Sequence, residues 1–263
     1  MEFIFNNPNE INIIELNKFK IIEMIKINFE IENLYIIRNI KSEIINLDCS
    51  NINLLSFRYC PKKVHTIYCE NNNLTSFQFL PNSLYKINCK NNIIDSFLYL
   101  PNNVKDINCE NNFIKSFKYI SKVNNINCIN NNINSFKFIP NSIISILCDF
   151  NKIESFEYLQ SGLNIITCNN NYIRSFQCLP KTVYYIKCNN NNISSFKYLT
   201  NNIRIIECSV NYITSFIFIP KKIEALICNH NDITSFKHLP KIKYLECYDN
   251  LFDENNNYNI LNL

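Results

Sequence analysis

Glycine is almost absent from this sequence, which contains Gly162 as its single glycine, Ala225 as its single alanine, and no tryptophan. Phosphate-binding loops need several glycines, because their backbone must approach the phosphate oxygens closely. Such loops are therefore excluded. The tight turns of the chain must be made by other residues, and Asn is the non-glycine residue that best tolerates left-handed backbone.

Long apolar runs are also missing. No stretch approaches the roughly 18 apolar residues of a membrane-spanning helix. The first residues, MEFIFNNPNEINIIEL, lack the basic segment and long apolar segment of a secretory signal. We therefore expect a soluble, intracellular protein that is not secreted by a signal peptide and does not bind a membrane.

Charge is present but not concentrated. The net charge is +4, from 26 Lys and Arg against 22 Asp and Glu. The lysines are spread along the chain without the dense runs that mark a nucleic-acid-binding surface. Asn, Ile, Lys, Phe and Tyr dominate, and their A/T-rich codons indicate an A/T-rich source gene.

What the sequence does contain is one pattern that recurs every 19 or 20 residues from about Ile44 to Phe252. We number each copy from an apolar position 1, of which Leu84 is an example. Positions 4, 11 and 17 are apolar, position 9 is Asn in all but the first copy, and positions 13 and 14 are usually Ser-Phe. Position 6 is always cysteine: Cys49, Cys69, Cys89, Cys109, Cys128, Cys148, Cys168, Cys188, Cys208, Cys228 and Cys247.

The repeat resembles a known family. At Leu84–Ile94 the pattern is L-x-x-I-x-C-x-x-N-x-I, which is similar to the leucine-rich repeat L-x-x-L-x-L-x-x-N/C-x-L. The period and the Leu-Pro ending look like the short repeats of bacterial effectors. The Asn/Ile-rich composition and the Ser-Phe pair resemble those of the leucine-rich-repeat proteins of amoeba-infecting giant DNA viruses.

The resemblance implies a fold, a location and a domain plan. The fold expected is a leucine-rich-repeat solenoid, a horseshoe or arc with parallel β-strands on the concave face and extended or single-turn segments on the convex face. The location expected is the host cytoplasm. Residues 44–252 form about eleven repeats, residues 1–43 an N-terminal cap with a degenerate repeat from Met24, and residues 253–263 a C-terminal cap. An F-box-like helical segment starting at Pro8–Ile11 is the alternative for the N-terminus.

The invariant positions are interpreted as scaffold. A buried Asn at position 9 can satisfy the backbone groups of the turn after the strand. Cysteines at position 6 form a line of small buried side chains, with no C-x-x-C pair to hold zinc. Ser at position 13 is expected to bond to a turn, and Phe at position 14 to form a hydrophobic spine. His65, His230 and His238 stand at unrelated positions, so we predict no enzyme, no metal and no cofactor.

Partner recognition is expected at the positions that the repeat leaves free. In this family's geometry, positions 2, 3, 5, 7 and 8 point out of the concave sheet. The early repeats carry charges there, with position 7 filled by Glu70, Lys90 and Glu110 and with Lys86 beside Asp106 at position 3. The later repeats carry apolar side chains, which are the predicted partner-binding residues: Ile144, Leu147, Phe150, Ile165, Tyr184, Tyr185, Ile205, Val210 and Ile227.

Three functions follow from this interpretation. The first is a non-enzymatic scaffold that binds another protein, such as a protein of the host, on the concave face. The second is a substrate adaptor that recruits ubiquitination machinery through the N-terminus. The third is nucleic-acid binding by aromatic residues at position 16, with Lys118, Lys137 and Lys197 nearby. We expect Cys178, at the same position, to be a packing substitution. The aromatic residues of position 16, which we expect to stack along the convex side, are Tyr59, Phe79, Tyr99, Tyr119, Phe138, Tyr158, Tyr198 and Phe218.

Overall fold

The computed structural model describes residues 46–58 and 60–252, together with the backbone of residues 24–26. The chain divides into two compact units, Met1–Cys128 and Ile129–Leu263. The caps predicted over 1–43 and 253–263 and the F-box-like alternative lie outside the described residues, apart from one short strand at 24–26. The domain boundaries therefore stay a prediction.

Unit 1 is a parallel sheet whose strands pair in chain order. Its described strands are β1 (Met24–Lys26), β2 (Asn46–Asp48), β3 (Thr66–Tyr68), β4 (Lys86–Asn88), β5 (Asp106–Asn108) and β6 (Asn125–Asn127). Backbone pairing sets Ile25 opposite Leu47. Ile25 therefore takes position 4 of its repeat. With Met24 as position 1, the sequence spacing had placed position 4 two residues later, at Ile27.

Unit 2 repeats the arrangement, with neighbouring strands again parallel and in register. Its described strands are β7 (Ser145–Leu147), β8 (Ile165–Thr167), β9 (Tyr185–Lys187), β10 (Ile205–Glu207), β11 (Ala225–Ile227) and β12 (Tyr244–Glu246). Each strand covers positions 3 to 5, and position 4 is buried in every described repeat from β2 onwards. The predicted sheet of short parallel strands, joined by turns and extended segments, is confirmed.

The core is built from the same positions in every repeat. Position 14 forms the spine that the sequence predicted, since rings such as Phe176, Phe196 and Phe216 are fully buried. Successive rings in unit 2 lie nearly parallel, with centroids 6.4 Å apart between Phe176 and Phe196 and again between Phe196 and Phe216. The side-by-side stacking holds each repeat to the next.

Position 9 ties adjacent repeats together by hydrogen bonds. The Nδ2 of Asn191 donates to the carbonyl oxygens of Cys168 at 2.9 Å and of Cys188 at 3.1 Å. Its Oδ1 accepts from the backbone N–H of Ile173 at 2.9 Å. One buried amide thus satisfies backbone groups of two repeats that no β-ladder reaches, which confirms its predicted structural role.

The cysteine ladder at position 6 is buried, as predicted, and all thirteen cysteines are free thiols. The Sγ of Cys168 lies 3.3 Å from the carbonyl oxygen of Lys187 in the next repeat and donates a weak hydrogen bond to it. Burial raises the pKa of the ladder thiols, including Cys168 and Cys188, because a thiolate there would lose its hydration. The ladder cysteines are therefore uncharged and pack as small side chains in the core.

Each repeat returns to the next strand through a turn at positions 14 to 17. In one copy, the N–H of Leu199 donates to the carbonyl of Phe196 at 3.0 Å, and the N–H of Lys197 donates to Ser195 Oγ at 3.3 Å. The serine bond to a turn is thus confirmed. The third residue of the turn, at position 16, has a positive φ, as in a type II turn, and Tyr198 has φ 69°.

Candidate functional site on the strand face of unit 2

The candidate site lies on the outward side of β7–β12, which we call the strand face of unit 2. Position 3 supplies its central row, because Ile165, Tyr185 and Ile205 stand opposite one another on β8, β9 and β10. Neighbouring parallel strands are about 4.8 Å apart. The three side chains therefore form one contiguous apolar row.

The same row continues further than the sequence analysis proposed. Ala225 pairs with Ile205, and Tyr244 pairs with Ala225 on the next strand. Tyr244 is exposed and belongs to the row, although it was not among the predicted residues. Following position 3 through the last repeat would have found it.

Position 2 flanks the row with two exposed side chains, Ile144 and Tyr184. They stand in alternate repeats, and Asn164 occupies position 2 between them. Tyr184 immediately precedes Tyr185 of the central row. These two residues widen the apolar surface toward the beginning of the strands.

The two predicted partner-binding residues at position 5 do not lie next to each other on the strand face. Leu147 and Ile227 stand at position 5 of β7 and β11 and are only partly exposed. Between them lie Thr167, Lys187 and Glu207 on the intervening strands. The two apolar residues are thus separated by polar ones and lie apart from each other.

Position 8 places the last two predicted residues in the turn after the strand. Phe150 and Val210 are 56% and 45% exposed, and both have left-handed backbone, with φ 54° and 56°. The repeats between them carry Asn170 and Asn190 at this position, also with positive φ. Asn suits this conformation, whereas a bulky or β-branched residue is strained there.

The central tyrosine is held by a charged pair. The hydroxyl of Tyr185 donates to Glu207 Oε1 at 3.1 Å, and Lys187 Nζ lies 3.0 Å from the same oxygen. The hydrogen bond to Glu207 raises the pKa of Lys187, and partial burial raises the pKa of Tyr185. Both groups keep their protons at neutral pH, so the tyrosine ring is fixed in place on the strand face.

The strand face of unit 1 is polar instead. Charges at the same position of neighbouring repeats are expected to pair across strands, and Lys90 and Glu110 do form an ion pair at 2.8 Å. Lys86 does stand opposite Asp106, but Asp106 accepts a hydrogen bond from Asn125 at 2.6 Å, and no ion pair with Lys86 appears in this part of the structure. An amide on the next strand competes well for the carboxylate, because exposed ion pairs contribute little.

Neither a cluster of metal ligands nor a membrane-spanning helix occurs within residues 24–26, 46–58 and 60–252. No cluster of three or more His, Cys, Asp or Glu side chains there is arranged to hold a metal ion. No helix in the same part of the chain has the length and hydropathy needed to cross a membrane.

Position 16 is the feature that sequence reasoning misjudged. Phe79, Tyr99, Tyr119 and their counterparts are exposed, and the stacked rings run along position 14 instead. Cys178 is exposed as well, so it is not a packing substitution. Tyr59 lies outside the described residues. A periodic aromatic resembles a core position in sequence, and only the turn geometry shows that position 16 points outward.

Comparison with known proteins rests on structure. No protein-family model matches the sequence, and no curated protein does. A leucine-rich-repeat domain of APL1 superimposes with a TM-score of 0.63 at 12% identity, over 81% of this chain and 69% of that one. The chain has a leucine-rich-repeat fold. Its repeats of about 20 residues belong to this architecture, which the resemblance had implied.

Two bacterial leucine-rich-repeat structures cover most of this chain. YopM from Yersinia enterocolitica matches with a TM-score of 0.63 at 18% identity, over 80% of this chain and 51% of YopM. The functional domain of InlJ from Listeria monocytogenes, described as including a cysteine ladder, matches with 0.63 at 19%, over 79% of this chain and 48% of that one. This chain thus spans about half the length of each.

Proposed function

We propose that this protein is a non-enzymatic scaffold that binds another protein through the strand face of unit 2. The observation that carries the proposal is the contiguous apolar row of Ile165, Tyr185 and Ile205, with Tyr184 beside it. Contiguous exposed apolar surface on a protein usually marks an interaction site. Tyrosine is also enriched among the residues that dominate binding energy.

The rigidity of Tyr185 strengthens the proposal. Its hydroxyl is bonded to Glu207, which Lys187 also engages. A ring already held in one orientation loses little conformational freedom when a partner covers it. Tyr185 is therefore the anchor we expect at the centre of the interface, with Ile165 and Ile205 packing around it.

The strained residues at position 8 support the same conclusion. Phe150 and Val210 adopt left-handed backbone at a position where most repeats use Asn. An A/T-rich gene does not explain them, because Asn codons are also A/T-rich. Residues kept in unfavourable conformations while exposed point to a role at the surface. We place both residues at the edge of the partner-binding area, beyond the ends of the strands.

The proposed partner is a protein inside the cell. We propose an intracellular partner, of the host if the gene is viral as its residue usage suggests. The free state of all thirteen cysteines fits a reducing compartment. Recruitment of ubiquitination machinery through residues 1–43 remains an alternative that depends on residues outside the described part of the chain.

The test is affinity capture with a surface variant and a matched control. The variant Y184D/Y185K/I205D places charges in the apolar row, and the control Y172D/Y212D places charges at exposed tyrosines of position 10 in the same unit. A partner recovered by the wild type and the control, but lost from the variant, supports the proposal. Equal recovery by all three proteins contradicts it, provided that circular dichroism shows them folded.

A further inference from the structure

The return turns of unit 2 expose aromatic rings in a conformation that does not favour them. Tyr198 and Phe218 stand at position 16 with φ 69° and 71°, and they are 53% and 63% exposed. The third residue of a type II turn is normally Gly or Asn, since other side chains clash there with their own backbone. The chain uses Asn freely at position 8, its other left-handed position, so aromatics at position 16 are not a default of its composition.

Packing does not explain the presence of these rings, because half or more of each ring remains exposed. Several position-16 rings of the array carry a cation, Tyr198 among them, whereas Phe218 follows the apolar Ile217. Lys197 Nζ lies 5.0 Å from the centroid of the Tyr198 ring, and Lys137 Nζ lies 5.2 Å from that of Phe138. A cation held over an aromatic face is attracted by the ring electrons. Ring and cation thus form one composite surface unit.

Four successive return segments, 175–182, 195–202, 215–222 and 235–241, contain no acidic residue. We call them the basic return strip. Their basic residues are Lys181, Lys197, Lys221, Lys222, Lys237 and Lys241. The strands of the same unit, in contrast, carry carboxylates such as Glu207 and Glu246. The strip is therefore the side of unit 2 that favours a polyanion.

The repeat interval, measured between the core rings, suits a chain of aromatic bases. The buried rings of position 14, two residues before position 16, recur every 6.4 Å from Phe176 to Phe196 and to Phe216. That interval is close to twice the ~3.4 Å rise between stacked bases of one strand. Rings presented at this interval leave room for about one base per repeat.

We propose that the basic return strip binds single-stranded nucleic acid, with bases stacked on Tyr198 and Phe218 and phosphates paired with the lysines. A duplex hides its base faces, so only an unpaired strand offers them to the rings. Stacking on rings with flanking cations does not read the base edges, so binding depends little on sequence. This site is separate from the strand face and does not depend on the proposed protein partner.

The test uses the full chain and a fluorescent 20-nucleotide oligothymidylate, with binding followed by anisotropy across a salt series. The variant Y198N/F218N removes both rings and puts Asn where the backbone favours it. We expect it to bind about ten-fold or more weakly, with a melting temperature that is not lowered. K221Q/K222Q is expected to make the slope of log affinity against log salt shallower by about 1.4, which corresponds to two phosphate contacts on a single strand.

The control is V210N, which also places Asn at a left-handed position of unit 2 but lies outside the strip. It should bind the oligonucleotide like the wild type. Unchanged binding by Y198N/F218N would overturn the proposal, as would equal affinity for a duplex of the same length. If the protein binds phosphatidylserine vesicles but does not bind the oligonucleotide, the strip is a membrane-binding surface. If the protein does not bind the oligonucleotide but self-associates, and Y198N/F218N abolishes that self-association, the strip binds a second copy of the chain. Either result overturns the proposal and leaves protein capture by the strand face unaffected.

Discussion

Replacing Asn191 with leucine tests how the repeats are joined. The substitution removes the bonds from Nδ2 to the carbonyls of Cys168 and Cys188 and the bond accepted from the N–H of Ile173. Leucine can take none of these roles, so the buried N–H of Ile173 loses its partner. The carbonyls of Cys168 and Cys188 each lose one bond but keep another, from Asn171 and Asn211. Each unsatisfied buried group costs about 1–3 kcal/mol. With about 0.5–1.5 kcal/mol added for each of the two lost carbonyl bonds, we expect N191L to lower the free energy of unfolding by about 2–6 kcal/mol.

The assay is equilibrium denaturation followed by circular dichroism, with N192L as the control. Asn192 is the next residue along the chain and is exposed. Position 10 also accommodates Ile93 in another repeat. N192L should therefore change the free energy of unfolding by no more than about 0.5 kcal/mol. A loss below about 1 kcal/mol for N191L, or equal losses for both variants, would refute the role assigned to position 9.

Three further predictions concern the core, the strained turn and the thiols. F196A removes a fully buried ring from the spine and should cost about 3–5 kcal/mol in denaturant titrations. V210N should be more stable than V210A by about 1 kcal/mol in the same titrations, because left-handed backbone favours Asn; equal stability would argue against strain at Val210. The contribution of the buried thiols to the free energy of unfolding should be fully present below about pH 8.5, the pKa of a thiol in the unfolded chain. It should fall as the pH rises above that value, because burial raises the folded pKa of Cys188 and its ladder neighbours. C188A should make this fall less steep in thermal melts between pH 8 and 10.

The fold was predictable because every repeat contributes the same constraint. Positions such as Cys188, Asn191 and Phe196 recur in phase along the array, and each plays in the structure the role that its residue type indicated. Parallel pairing in register then places identical positions side by side. Row membership on the strand face, including that of Tyr185 and Ile205, therefore follows from repeat position alone.

What the sequence could not supply was the state of the positions between these constraints. The exposure of Tyr198 depends on the turn geometry at position 16, which no residue pattern revealed. The competition of Asn125 with Lys86 for Asp106 depends on side-chain reach across strands. The separation of Leu147 from Ile227 by polar residues, in contrast, could have been found from repeat position alone.

Crosslinking from Tyr185 tests the central claim most directly. A photoreactive benzoylphenylalanine replaces Tyr185 in the apolar row or, as the control, Tyr172 at exposed position 10 of the same unit. In cell extract, we predict a protein adduct from position 185 that is absent from position 172 and is abolished by adding I205D. The same adducts from both positions, or an adduct from position 185 that survives I205D, would contradict recognition by the strand face of unit 2.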